Sequence, residues 1–136
     1  MSQFKLEIVT PERVFYSDEV DAVSMTTLTG RIQILAHHIS YATGIVPSSV
    51  KIRQKDTVKY AAVGGGFVEV TKNKVVILAD SAEWPEEIDK NRAEEALQRA
   101  KERLGLKSNK SDIDKKRAQI ALMRALSRIK VRDIKK

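Results

Sequence analysis

Cysteine is absent from the 136 residues, and with it go disulfides, thiolate nucleophiles and cysteine-bound metal centres. A chain without thiols suits a reducing compartment. No apolar run comes near the roughly 20 residues a helix needs to cross a bilayer. The N-terminus Met1-Ser2-Gln3-Phe4-Lys5 also lacks the charged-then-apolar order of a secretory signal. A soluble intracellular protein is expected, with no segment inserted in a membrane. Aromatic residues are only 5% of the chain, so a small appendage to a main core should dock weakly. The three prolines end at Pro85, which leaves the last fifty or so residues free to be helical. The two histidines, His37 and His38, are adjacent and have no third partner; they make a poor metal site and read as loop residues.

Charge is what the chain does have, and it is unevenly placed. Residues 1–85 carry 9 basic and 9 acidic side chains, whereas residues 86–136 carry 16 and 9, which is the whole net charge of +7. Residues 107–136 alone hold 11 basic against 3 acidic groups. The basic end should meet an acidic partner.

The structural period changes at the same place. Up to Trp84-Pro85 the chain alternates apolar and polar residues, as in Phe4-Lys5-Leu6-Glu7-Ile8, Arg31-Ile32-Gln33-Ile34, Val50-Lys51-Ile52-Arg53 and Phe67-Val68-Glu69-Val70. Hairpin-like breaks at Gln54-Lys55-Asp56-Thr57 and Thr71-Lys72-Asn73-Lys74, and glycines at 30, 44 and 64–66, separate these runs. Short strands so closely spaced predict an antiparallel β-sandwich or barrel over residues 1–85. Gly64-Gly65-Gly66 lacks a following Gly-Lys-Ser/Thr and precedes a strand, so it reads as a tight turn with positive φ, not a phosphate loop.

From residue 86 to 136 the period is helical. Ala93, Ala96, Leu97, Ala100 and Leu104 form one stripe, closed by a Gly105-Leu106 cap; Ala118, Ala121, Leu122, Ala125 and Ile129 form a second, opened by Asp112. The short polar linker Lys107–Ser111 implies an antiparallel two-helix hairpin. Both stripes are alanine-rich, so the hairpin buries little and is expected to open without unfolding the β part.

Three segments together resemble the epsilon subunit of bacterial F-type ATP synthase: Gly30-Arg31-Ile32-Gln33-Ile34-Leu35-Ala36-His37-His38, Val63-Gly64-Gly65-Gly66-Phe67-Val68-Glu69-Val70 and Ile88-Asp89-Lys90-Asn91-Arg92-Ala93. The resemblance runs the length of the chain. It implies a non-catalytic central-stalk subunit, peripheral to the cytoplasmic side of the cell membrane, that couples rotation to ion flux. The sandwich would then bind the gamma subunit and the membrane rotor ring. The helices would either fold down or extend to the alpha and beta subunits, where they inhibit ATP hydrolysis. In some bacilli the folded hairpin holds ATP, without a metal, at the Ile-Asp-x-x-Arg-Ala element.

On that reading Ile88, Asp89 and Ala93 line the adenine side of a regulatory ATP site, with Glu83 brought close by the fold-back. Arg92 and Arg99, seven apart on one helix face, and Arg124 and Arg128, four apart on the next, face the phosphates. The plainer alternative is an i,i+3 surface pair and solvated arginines. Lys115, Lys116, Arg117, Arg124 and Arg128 are the expected inhibitory contacts in the extended form; a solvated charged face is again the alternative. A rival function is a nucleic-acid-binding module with a basic helical tail, weakened by the scarcity of aromatic stacking platforms there. No catalytic set is found.

Overall fold

The computed structural model describes residues 2–105 and 112–134. Ten strands come first: β1 (Phe4–Val9), β2 (Val14–Val20), β3 (Ala22–Thr27), β4 (Gly30–Leu35), β5 (Tyr41–Ile45), β6 (Ser48–Gln54), β7 (Thr57–Val63), β8 (Gly66–Val70), β9 (Lys74–Ala79) and β10 (Ala82–Glu83). A 3-10 turn at Pro85–Glu87 leads to α1 (Lys90–Gly105) and α2 (Asp112–Ile134). The linker 107–111, the contact of Leu106 and the side chains of Asp112 and Lys115 lie outside what is described.

Alternation in the sequence becomes inside and outside in the sandwich. Phe4, Leu6 and Ile8 of β1 are buried while Lys5, Glu7 and Val9 are half-buried; Val75, Ile77 and Ala79 of β9 repeat the pattern. These strands lie side by side with Leu6 opposite Val75 and Ile8 opposite Ile77, so their side chains stack in one core with Val20, Met25, Val50, Ile52 and Val68. That pairing is parallel, whereas every other pairing is antiparallel. The expectation of a purely antiparallel sheet is corrected there: β1 and β9 are far apart in sequence, and only tertiary packing decides their direction. β5 and β10 are also absent from the sequence reading, because Tyr41–Ile45 includes Ala42 and Gly44 and Ala82–Glu83 is two residues long.

The strands follow the order β10-β7-β6-β3-β5-β8-β9-β1-β2, with β4 pairing β3 off that path. The hairpin breaks at 54–57 and 71–74 are turns, and Lys55 takes φ 55° in the first of them. In the glycine run Gly65 and Gly66 have φ of 105° and 144°, as a tight turn requires.

β7 is the strand that links the two parts. Ala61 and Val63 point into the sandwich core, while Tyr60 and Ala62 point the other way and pack with Ile88, Ala93, Ile129 and Val131. Ala93 near the start of α1 thus clusters with Val131 near the end of α2, and Ala96 shares a cavity wall with Ala121 and Ala125. The helices are antiparallel. Ala93, Ala100, Ala118 and Ala125 are all buried, as the stripes predict.

Gly66 is the position least able to change, since a Cβ there would overlap the Leu78 carbonyl and also demand a left-handed φ. Gly66→Ala is expected to lower unfolding stability by more than about 1 kcal/mol, measured by chemical denaturation.

Candidate site between the helices and the sandwich

Arg124 and Arg128 stand one turn apart on the face of α2 that meets the sandwich. The Nε of Arg124 donates to the Gly64 carbonyl at 3.0 Å, and its Nη2 lies 3.6 Å from Asp80 Oδ2. The Nη2 of Arg128 donates to Glu83 Oε2 at 3.3 Å. Its Nε is 2.8 Å from Glu83 Oε1, ion-pair distance but off the line of a hydrogen bond. The two pairs differ in weight, because the Arg128 and Glu83 side chains are 26% and 28% exposed and those of Arg124 and Asp80 are 48% and 66%. Exposed pairs contribute about 0–1 kcal/mol, so the Glu83–Arg128 contact is the stronger tie.

Local sequence explains why these groups meet. β10 pairs with β7 so that Glu83 lies opposite Ala62, at the strand edge beneath α2. Gly64 has ordinary φ, yet a Cβ there would collide with Ser81 Oγ and come within 3.5 Å of Arg124 Nε. The missing side chain is what lets Ser81 pack against the backbone beneath the arginine.

Around these contacts lies a cavity of about 270 Å³ lined by Glu83, Arg124 and Arg128 together with Gly64, Ser81 and Ser127. Small residues of both helices, Ala96, Ala121 and Ala125, form its floor. One buried polar atom on this wall, Ser127 Oγ, has no hydrogen-bond partner, whereas Arg128 Nε faces Glu83 as an ion pair. Unpaired buried donors are uncommon and favour a ligand that accepts from them.

The structure therefore brings together three of the residues singled out from sequence: Glu83, Arg124 and Arg128. Ile88 and Ala93 are 4% and 0% exposed and pack on Ala62 and Val131, beside the cavity and not on its wall. Asp89 accepts the Arg92 backbone N–H at 3.1 Å, an N-cap for α1, so the i,i+3 surface pair of the plainer alternative is replaced by a cap. Arg92 and Arg99 are exposed, on the helix face that also carries Ala96. Lys116 and Arg117 are exposed as well. Gly64, Asp80, Ser81 and Ser127 were missed, since only the fold places them under α2. Among the described residues no group of three His, Asp or Glu side chains could hold a metal.

The junction ahead of α1 is also clamped. Arg13 Nη2 lies 2.8 Å from both Glu87 oxygens, and Glu87 Oε1 accepts the Trp84 backbone N–H at 2.9 Å. Trp84 stacks on Phe15 with ring centroids 4.3 Å apart, and the Arg13 guanidinium sits 5.0 Å from the Phe15 ring centre. The only tryptophan of the chain is spent on this joint, on the sandwich side of the boundary.

Matched against known families, residues 3–85 correspond to the beta-sandwich domain of the ATP synthase delta/epsilon chain and residues 86–132 to its long alpha-helix domain. The chain belongs to the ATP synthase delta/epsilon family. The ATP synthase epsilon chain of Alkaliphilus metalliredigens is 47% identical over 103 residues, covering 76% of this chain and 77% of that one. That of Clostridium novyi is 47% identical over 105 residues, covering 76% and 80%. In fold the chain resembles one from the Euglena gracilis mitochondrial ATP synthase, with a TM-score of 0.76, 21% identity and coverage of 90% and 77%. A chain from the Tetrahymena thermophila mitochondrial enzyme gives a TM-score of 0.61 at 16% identity, covering 98% and 96%. As a family member the protein is a non-catalytic subunit of the central stalk, the catalytic sites lying in other subunits. No helix among the described residues is long and apolar enough to cross a membrane. The nucleic-acid reading finds no support among these relatives.

Arg13, hydrogen-bonded to Glu87, holds the Glu87 carboxyl below its ordinary value, and the Trp84 N–H adds to the effect. A carboxyl depressed in the folded state stabilises at neutral pH and loses that contribution as pH falls through the folded value, below about pH 4. Trp84 fluorescence should report a step in that range, and Glu87→Gln should remove the step.

Proposed function

We propose that the docked hairpin binds ATP at the Glu83–Arg124–Arg128 cavity and that the ligand regulates the stalk by holding the helices down. The observation that carries this is the convergence of two arginines with the buried Ser127 hydroxyl, which has no hydrogen-bond partner, on one cavity wall. A phosphate oxygen fits the Ser127 hydroxyl as acceptor, and Arg124 and Arg128 would hold the phosphate with charge-assisted bonds in place of Asp80 and Glu83. A cavity of about 270 Å³ suits part of a nucleotide. Arg92 and Arg99 flank Ala96 on α1, where they extend the basic surface from the cavity wall. Ile88, Asp89 and Ala93 would supply the base end once the N-terminus of α1 shifts. ATP serves here as a regulatory ligand, and the residue set asks for no metal.

In the same reading the sandwich docks on the gamma subunit and the membrane rotor ring, on the cytoplasmic side. The released helices reach the alpha and beta subunits, where Lys115, Lys116, Arg117, Arg124 and Arg128 meet carboxylates and hold hydrolysis back. Arg124 and Arg128 would thus serve both states, which ties ATP binding to release of the brake. A ligand at ten times its dissociation constant adds only about 1.4 kcal/mol to the state it binds, so the effect is a population shift.

Calorimetric titration of the chain with ATP tests the site. Arg128→Ala is expected to weaken binding by about 1–3 kcal/mol. Asp89→Ala also removes the helix cap, so Asp89→Asn is the cleaner comparison: it keeps a capping oxygen, and a loss of binding there would speak for ligand contact. Equal affinity in all three variants and the parent would place ATP elsewhere.

The division of labour has its own test. A chain ending at Glu87 keeps the sandwich and the Arg13–Glu87 clamp; it is expected to assemble into the stalk and support coupled synthesis while hydrolysis rises. Reconstituted enzyme assayed in both directions would check this.

A further inference from the structure

On the other side of α2 from the arginine cavity is a wider hollow of about 560 Å³, between that helix and the outer face of β3, β4, β6 and β7. Three cations line it: Arg31 on β4, Lys51 on β6 and Lys130 on α2. Among the described residues no carboxylate does. In the first cavity each arginine faces an acid, whereas among the described residues neither Lys51 nor Lys130 forms an ion pair. Arg31 is fixed in place, its Nη1 donating to the Ser49 carbonyl at 2.7 Å and to Thr26 Oγ1 at 3.2 Å. The residue as a whole is exposed, yet desolvation holds the Arg31 pKa below the ordinary arginine value. Like charges gathered around one partly desolvated hollow repel unless an anion joins them.

Two further features say what kind of anion. Ser127, 7% exposed, lies on the wall between the two cavities, and its unpartnered hydroxyl is free to rotate toward either. Pro47, Met123 and Leu126 give the hollow an apolar side, which inorganic ions do not use. We propose that this hollow binds a phosphate-bearing organic small molecule, its phosphate held by Arg31, Lys51 and Lys130 and its carbon skeleton laid against Pro47, Met123 and Leu126. Arg31 and Lys51 belong to the sandwich and Lys130 to α2, so such a ligand bridges the two parts and favours the docked arrangement. The site is independent of the proposed ATP cavity and shares only Ser127 with it.

The test uses the full chain and two probes, inorganic phosphate and phenyl phosphate, followed through backbone amide shifts. Saturable shifts centred on Ser49, Lys51, Ser127 and Lys130 are expected, with phenyl phosphate the tighter of the two. Lys51→Gln with Lys130→Gln, both outside the ATP cavity, should weaken phenyl phosphate by at least about tenfold while leaving the remaining spectrum folded. The proposal is overturned if shifts centre on Gly64 and Arg128, if the double variant binds as the parent does, or if neither probe saturates. It is equally overturned if the chain ignores both probes but sediments with phosphatidylglycerol vesicles, which would make the basic hollow a lipid-facing surface.

Discussion

Close approach of α2 to the outer face of β7 is the constraint on which the rest of this structure hangs. Ala62 and Gly64 alternate with the core residues Ala61 and Val63, so the strand presents a nearly bare backbone to the helix. A larger residue at 64 would strike Ser81, directly beneath the Gly64 carbonyl that Arg124 grips. With the helix that near, two arginines one turn apart find acids on β10 and on the segment before it. The alanines on both helices follow the same logic, since each trades buried area for proximity.

The docking energy is accordingly small and mixed in kind. A buried cluster of Ala62, Ile88, Ala93 and Val131 supplies the apolar part. A half-buried Glu83–Arg128 pair supplies the ionic part, worth little by itself but directional. Neither resembles the sandwich interior, where Leu6, Ile8, Met25 and Ile77 are entirely enclosed. With this contrast, a rearrangement of the helices can leave the β part intact.

Much of this was written locally in the sequence. The alternation of Phe4, Leu6 and Ile8 and the helical stripes through Ala93, Ala100, Ala118 and Ala125 are periodic, so they show the two classes of structure and which faces are buried. Glu83, Arg124 and Arg128 were found because one motif points to the others. What stayed hidden depends on partners far away in the chain: the parallel β1–β9 pairing, Asp80 under Arg124, and Arg13 on Glu87 across 74 residues. Asp89 was open to two readings for the opposite reason. Its backbone duty as a cap is local, but a carboxylate three residues from an arginine also has the spacing of a surface ion pair.

The clamp at Glu87 fixes where motion can begin. With Trp84 stacked on Phe15 and Glu87 held by Arg13, the backbone is tethered to the sandwich as far as the 3-10 turn, and α1 starts at Lys90. Only two residues, Ile88 and Asp89, separate the anchor from a rigid rod of 16 residues. Such a rod is about 24 Å long, so a swivel of about 30° at its foot carries its far end through about 12 Å. Short pivots with long levers turn a local loss of contact into a large displacement, and here the pivot sits in the small apolar cluster of Ala62, Ile88, Ala93 and Val131 that holds the lever down.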